Sequence, residues 1–114
     1  MATISTHVID TTFGAAATGV SVVLEVRRGT DRWEEIARGV TDSAGRIARL
    51  GDADTIERGV YRLTFAAGDY LERRGQRDPL FPSIPLVFAV RDAAAHYHLP
   101  LLLGPHTYTT YRGT

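Results

Sequence analysis

His96-Tyr97-His98-Leu99-Pro100-Leu101-Leu102-Leu103 reads as a strand with two different faces. Side chains alternate across a strand, so Tyr97, Leu99, Leu101 and Leu103 share one side, and His96, His98, Pro100 and Leu102 share the other. The first side is apolar throughout and belongs to a core. The segment Thr3-Ile4-Ser5-Thr6-His7-Val8-Ile9-Asp10 alternates in the same way. Ile4 and Val8 point to one face, Thr3, Ser5 and His7 to the other. His7 and His98 therefore both stand on a non-core face. An outer face bearing imidazoles, Pro100 and Leu102 is expected to be covered by another subunit.

Outward from these segments, short alternating runs are punctuated by Gly, Pro and Asp, which is an all-β signature. Strands are expected over 3–10, 19–28, 32–41, 46–50, 59–66, 84–91, 96–103 and 107–112, eight in all, as in a β-sandwich. Arg28-Gly29-Thr30-Asp31 reads as a hairpin loop, and Asp42-Ser43-Ala44-Gly45 as a turn that delivers Arg46. Asp69 is placed to cap one short helix over 70–74, with Gly75 ending it. Pro79, Pro82 and Pro85 then keep the chain extended.

Bulk properties narrow the function. The 114 residues suit one domain, 1–114, with 44% hydrophobic and 23% charged side chains. Thirteen basic residues balance thirteen acidic ones, so no net positive field exists to grip nucleic acid or an anionic membrane. All the basic residues are Arg, and Lys and Asn are absent throughout. The absence of cysteine excludes a disulfide scaffold, a thiolate nucleophile and a Cys-type zinc site. The uncharged stretch 79–90 holds three prolines and is shorter than the ~20 residues of a spanning helix. The opening MATISTHVID lacks the pattern of a signal peptide, so the cytoplasm is the expected compartment.

Four histidines are the main candidates for chemistry: His7, His96, His98 and His106. An H-x-H pair with His7 could hold a metal, but no acidic residue flanks the pair and no HExxH is present, so no metal or other cofactor is expected. The acid–base reading needs none, since imidazole titrates near neutrality. Asp10, Asp42 and Glu25 show no spacing that would pair carboxylates. No GxSxG surrounds any serine, and neither a P-loop nor a GxGxxG occurs. Trp33, flanked by charges, reads as a half-buried strand residue. Arg46 follows a Gly-containing turn; its plain reading is a solvated turn charge, which most of the other arginines share. The tail Tyr108-Thr109-Thr110-Tyr111-Arg112-Gly113-Thr114 alternates like an edge strand, and could bring Arg112 and the Thr114 hydroxyl to a site.

Four motifs occur in order: Ser5-Thr6-His7-Val8-Ile9-Asp10, Ala44-Gly45-Arg46, His96-Tyr97-His98-Leu99-Pro100-Leu101-Leu102-Leu103 and Tyr111-Arg112-Gly113-Thr114. Gly59-Val60-Tyr61-Arg62-Leu63, Gly68-Asp69-Tyr70 and Phe81-Pro82-Ser83-Ile84-Pro85-Leu86-Val87-Phe88 support them. Across essentially its whole length the chain resembles the 5-hydroxyisourate hydrolases, the transthyretin-related enzymes of urate breakdown. The terminal tetrapeptide separates that family from the transthyretin hormone carriers.

The resemblance implies an eight-stranded transthyretin-like sandwich with one short helix. It also implies a homotetramer, a dimer of dimers, with sites in a channel between dimers. By motif match, His7, Arg46 and His98 would be catalytic, and Tyr111, Arg112, Gly113 and Thr114 would bind substrate. The implied reaction adds water across the N1–C6 amide of 5-hydroxyisourate, giving 2-oxo-4-hydroxy-4-carboxy-5-ureidoimidazoline. One of His7 and His98 would be the general base, and the other would hold water or protonate the leaving nitrogen. Arg46 and Arg112 would clamp substrate oxygens, and Thr114 would hydrogen-bond substrate or water. A urate oxidase would act upstream and a decarboxylase downstream. Two departures stand out: Thr114 replaces the usual Ser, and Gly104-Pro105-His106-Thr107-Tyr108-Thr109-Thr110 replaces the family's Ser-Pro-Tyr-Gly-Tyr-Ser-Thr. The alternatives are a transthyretin-like carrier of an apolar ligand and a purely structural sandwich.

Overall fold

The alternation forms two packed sheets. The computed structural model describes residues 2–114. In chain order the strands are β1 (Thr3–Asp10), β2 (Ala15–Ala16), β3 (Ser21–Arg28), β4 (Arg32–Val40), β5 (Arg46–Ile47), β6 (Gly59–Phe65), β7 (Ile84–Val90), β8 (His96–Leu103) and β9 (Tyr108–Thr110). A 3-10 turn over Ala53–Thr55 and helix α1 (Ala67–Arg73) complete the elements. One sheet runs β2-β1-β8-β9, with β5 also pairing β1, and the other runs β4-β3-β6-β7. Within the first sheet β1 and β8 are parallel, which sets Thr3 opposite His96 and Ser5 opposite His98.

The core lies between the sheets, where Ile4, Val8, Val22, Leu24, Leu63, Phe65, Leu101 and Leu103 are fully buried. Tyr97 and Leu99 are buried as the alternation requires. Two polar residues of β1 also sit on this side, each with its hydrogen bonds made. The Thr6 hydroxyl donates to the Leu99 carbonyl at 2.7 Å. Asp10 accepts from the Tyr70 hydroxyl at 2.7 Å and from the amides of Thr12 and Phe13. Asp10 is therefore a buried tie between β1 and α1. Glu25 pairs with Arg62 at 2.7 Å, and that guanidinium lies 4.4 Å over the half-buried Trp33 ring.

The structure departs most from the sequence reading in four places, beside strand ends that shift by one or two residues. The strand β2 was not expected. The run expected over 46–50 shortens to β5 because Leu50 turns into the core, its amide donating to the Ile4 carbonyl. The last strand stops at Thr110 instead of 112. Helix α1 begins at Ala67 and ends a residue early; Asp69 lies in its first turn and makes no capping hydrogen bond. A tertiary contact sets that start: the Gly68 amide donates to the Pro82 carbonyl, and a Cβ at 68 would meet Pro82 Cα at 2.9 Å. The expected stop holds. Gly75 adopts φ 84°, and the amides of Gly75 and Gln76 return to the carbonyls of Glu72 and Leu71. No helix of the described residues is long and apolar enough to cross a membrane.

Candidate functional site

The outer face of the β1–β8 pair gathers the histidines. Ser5 is buried at 6% exposure, and its Oγ lies 2.7 Å from His98 Nδ1 and 2.9 Å from His96 Nε2. The second nitrogen of His96, Nδ1, is hydrogen-bonded to the Thr3 hydroxyl. A continuous chain thus runs Thr3–His96–Ser5–His98, with His96 exposed and His98 half-buried. The two rings lie nearly parallel, centroids 6.4 Å apart. Parallel registry creates this chain, since it sets both β1 hydroxyls directly opposite the β8 histidines.

Arg46 reaches the same face through a built turn. The Asp42 carboxylate accepts from the amides of Ala44 and Arg46, both at 2.9 Å, and the Gly45 carbonyl accepts from the Val8 amide at 2.7 Å. These bonds hold the Asp42 carboxyl below its ordinary pKa, the Arg46 amide first and the Ala44 amide next. Gly45 sits at φ 74°, and a Cβ there would meet the Val8 carbonyl oxygen at 2.5 Å. Only glycine fits such a left-handed, crowded position. Arg46 is thereby set beside His7, its antiparallel partner on β1.

The tail closes the arrangement. Beyond β9 the Gly113 amide donates to the His98 carbonyl at 2.7 Å, and the two residues form an antiparallel bridge. Thr114 then joins Arg46, His96, His98 and Ser5 around an open depression of about 280 Å³. Tyr111 and Arg112 face another way. The Arg112 guanidinium lies 4.3 Å over the Tyr97 ring, donates to the His96 carbonyl at 3.3 Å, and lines with Tyr111 a separate apolar cavity between β7 and β8. His106 is exposed on the loop between β8 and β9.

The electrostatics favour a neutral His98 imidazole. Burial lowers the His98 pKa, and the nearby charges of Arg46, His96 and His7 lower it further. A neutral imidazole with one nitrogen engaged by Ser5 keeps its other nitrogen for a proton. Among the described residues, no three His, Cys, Asp or Glu side chains gather as a metal site. Ser5 is the residue that the sequence reading missed. Ser5 lies in no nucleophile motif, and its contacts with the two histidines arise from registry with a strand far along the chain.

The model of the HIUase/Transthyretin family matches residues 4–113. The chain belongs to that family. A 5-hydroxyisourate hydrolase of Salmonella dublin is 40% identical over 111 residues, spanning 97% of this chain and 80% of that protein. The solved structure of Klebsiella pneumoniae 5-hydroxyisourate hydrolase superposes with a TM-score of 0.85 at 37% identity, covering 98% of this chain and 99% of that one. Sea bream transthyretin in complex with thyroxine superposes with a TM-score of 0.91 at 30% identity, covering 97% and 94%. Fold likeness alone does not separate hydrolases from transthyretins within this HIUase/Transthyretin family.

Proposed function

We propose that this chain hydrolyses 5-hydroxyisourate to 2-oxo-4-hydroxy-4-carboxy-5-ureidoimidazoline in the degradation of urate to allantoin. The observation that carries this reading is the convergence of Arg46, His98 and Thr114 on one depression, in a chain 40% identical to a named 5-hydroxyisourate hydrolase. Opening a cyclic amide requires an activated water and a place for the negative charge that develops on the carbonyl oxygen. His98 is the general base. Its neutral form is favoured, and Ser5 and the Gly113 bridge hold it in place. Arg46 stabilises the oxyanion, a contribution of about 10²–10³ in rate for a well-aimed donor. His7, beside Arg46, holds the water or the leaving nitrogen, and the Thr114 hydroxyl hydrogen-bonds substrate. Tyr111 and Arg112 line a different cavity within this chain, so their share in substrate binding is proposed only for the assembled tetramer.

In this reading 1–114 acts as one domain within a homotetramer, a dimer of dimers, in the cytoplasm, with no cofactor and no nucleic acid or membrane partner. The polar outer face of β1 and β8 lines the channel between dimers. The test follows the ultraviolet absorbance of 5-hydroxyisourate generated from urate by urate oxidase. Decay is expected to accelerate with the protein, and to fall to the spontaneous rate with His98→Ala or Arg46→Ala. Near-native turnover in either variant would remove that residue from the chemistry. No acceleration by the folded wild type would favour a transthyretin-like binding protein instead, the reading that the likeness to sea bream transthyretin supports.

A further inference from the structure

A half-buried base beside an arginine has a difficulty: taking the proton from water would leave an imidazolium next to Arg46. The hydrogen-bond chain behind His98 offers a way around it. We propose that Ser5 and His96 are a proton relay that positions His98 and moves the accepted charge outward to the exposed imidazole. The inference rests on the hydrolase reading above and concerns the same site.

The groups allow two polarities, and both satisfy every partner. In the first, His98 Nδ1–H donates to Ser5 Oγ, Ser5 Oγ–H donates to His96 Nε2, and His96 Nδ1–H donates to the Thr3 hydroxyl. His98 Nε2 is then unprotonated. In the second, every bond is reversed: Thr3 donates to His96 Nδ1, His96 Nε2–H to Ser5, and Ser5 to His98 Nδ1. His98 Nε2 then carries the proton. When His98 Nε2 takes a proton from water, hydroxide adds to the amide carbonyl. The Nδ1 proton passes to Ser5, and the Ser5 proton passes to His96 Nε2. His96, now an imidazolium in contact with solvent, releases its Nδ1 proton there. Cleavage runs the relay back. His98 Nε2–H protonates the departing ring nitrogen, Nδ1 regains a proton from Ser5, Ser5 from His96 Nε2, and His96 Nδ1 from solvent. Each donor and acceptor ends as it began, so the chain resets with every turnover. The groups whose charge reaches His98 are Arg46, His7 and His96; the exposed Arg46 guanidinium keeps its proton, and of the two imidazoles His96 is the exposed one that can pass a proton to water.

The experiment measures turnover of 5-hydroxyisourate by the whole protein in mixtures of light and heavy water. In wild type the rate should bow with deuterium fraction, because several protons move together. His96→Gln keeps a hydrogen-bonding side chain at an exposed position but cannot carry a proton. It should lower kcat about ten- to hundredfold while leaving KM unchanged, and should make the dependence linear. Free imidazole should restore part of the rate to His96→Ala, which a merely structural loss would not allow. Ser5→Ala should match the kinetics of His96→Gln, with folding checked by circular dichroism because Ser5 is buried. An active wild type whose His96→Gln variant keeps full kcat and a bowed dependence would overturn the relay and leave the hydrolase reading standing. An inactive wild type would overturn the reading itself.

Discussion

Gly113 is as much a part of the site as the imidazole it touches. A Cβ built there would lie 2.5 Å from His98 Cδ2 and 3.3 Å from Pro100 Cγ. No side chain can occupy that position unless the His98 ring moves. Glycine here serves close approach, because the β8 ladder ends its regular pairing at Thr110 and resumes for a single bridge. A displacement of about 1 Å at a catalytic group can cost on the order of 10²-fold in rate. Gly113→Ala is therefore expected to lose most of its turnover while its thermal melting stays near that of the wild type. The isourate decay assay and a melting curve on one sample check both halves. That Arg46, His98 and Thr114 come together at one depression was legible in the sequence through a turn, a strand face and an ordered set of motifs. The place of Ser5 was not, because its partner in the hydrogen-bond chain lies 93 positions away. The direction of Arg112 was equally hidden, since alternation stops informing once the chain leaves its strand.

At the scale of elements, the strands were readable where apolar residues alternate over seven or eight positions, as in β1, β6, β7 and β8. They were unreadable where two alanines make β2, or where the core claims Leu50 and cuts β5 short. The joint between β1 and α1 was invisible for a similar reason. Its members, Asp10 and Tyr70, are 60 positions apart. Tyr70→Phe leaves one Asp10 oxygen unpartnered in a buried place, so the variant should be less stable by about 1–3 kcal/mol in urea unfolding. Burial, then the hydrogen bond to Asp10, pushes the Tyr70 pKa from 10.0 up to about 12. The sign follows from linkage. Unfolded chains release the tyrosine proton first, so the stability held below pH 10 is lost as pH rises toward 12. Wild type should show that alkaline decline, and Tyr70→Phe should lack its share of it.

For the molecule as a whole, the question is what covers its open edges. Val87 is 60% exposed and Tyr111 56%, and both border the apolar cavity of about 490 Å³ between β7 and β8. A second copy laid along these edges would bury them, and pairing of the resulting dimers would enclose the depression at His98. Light scattering or native mass spectrometry should therefore give four times the 12.5 kDa chain mass. A monomer would remove the channel and leave Arg112 without a route to substrate. The parallel pairing of β1 with β8 has a consequence in time as well as in space. The central pair of the site-bearing sheet joins segments made early and late in synthesis, so nothing resembling the site can exist before position 98 has been added. Closing so long a loop is entropically slow, and sheets of this kind fold late and cooperatively. Catalysis by this protein thus waits on the strand pairing with the longest sequence separation in its sheets.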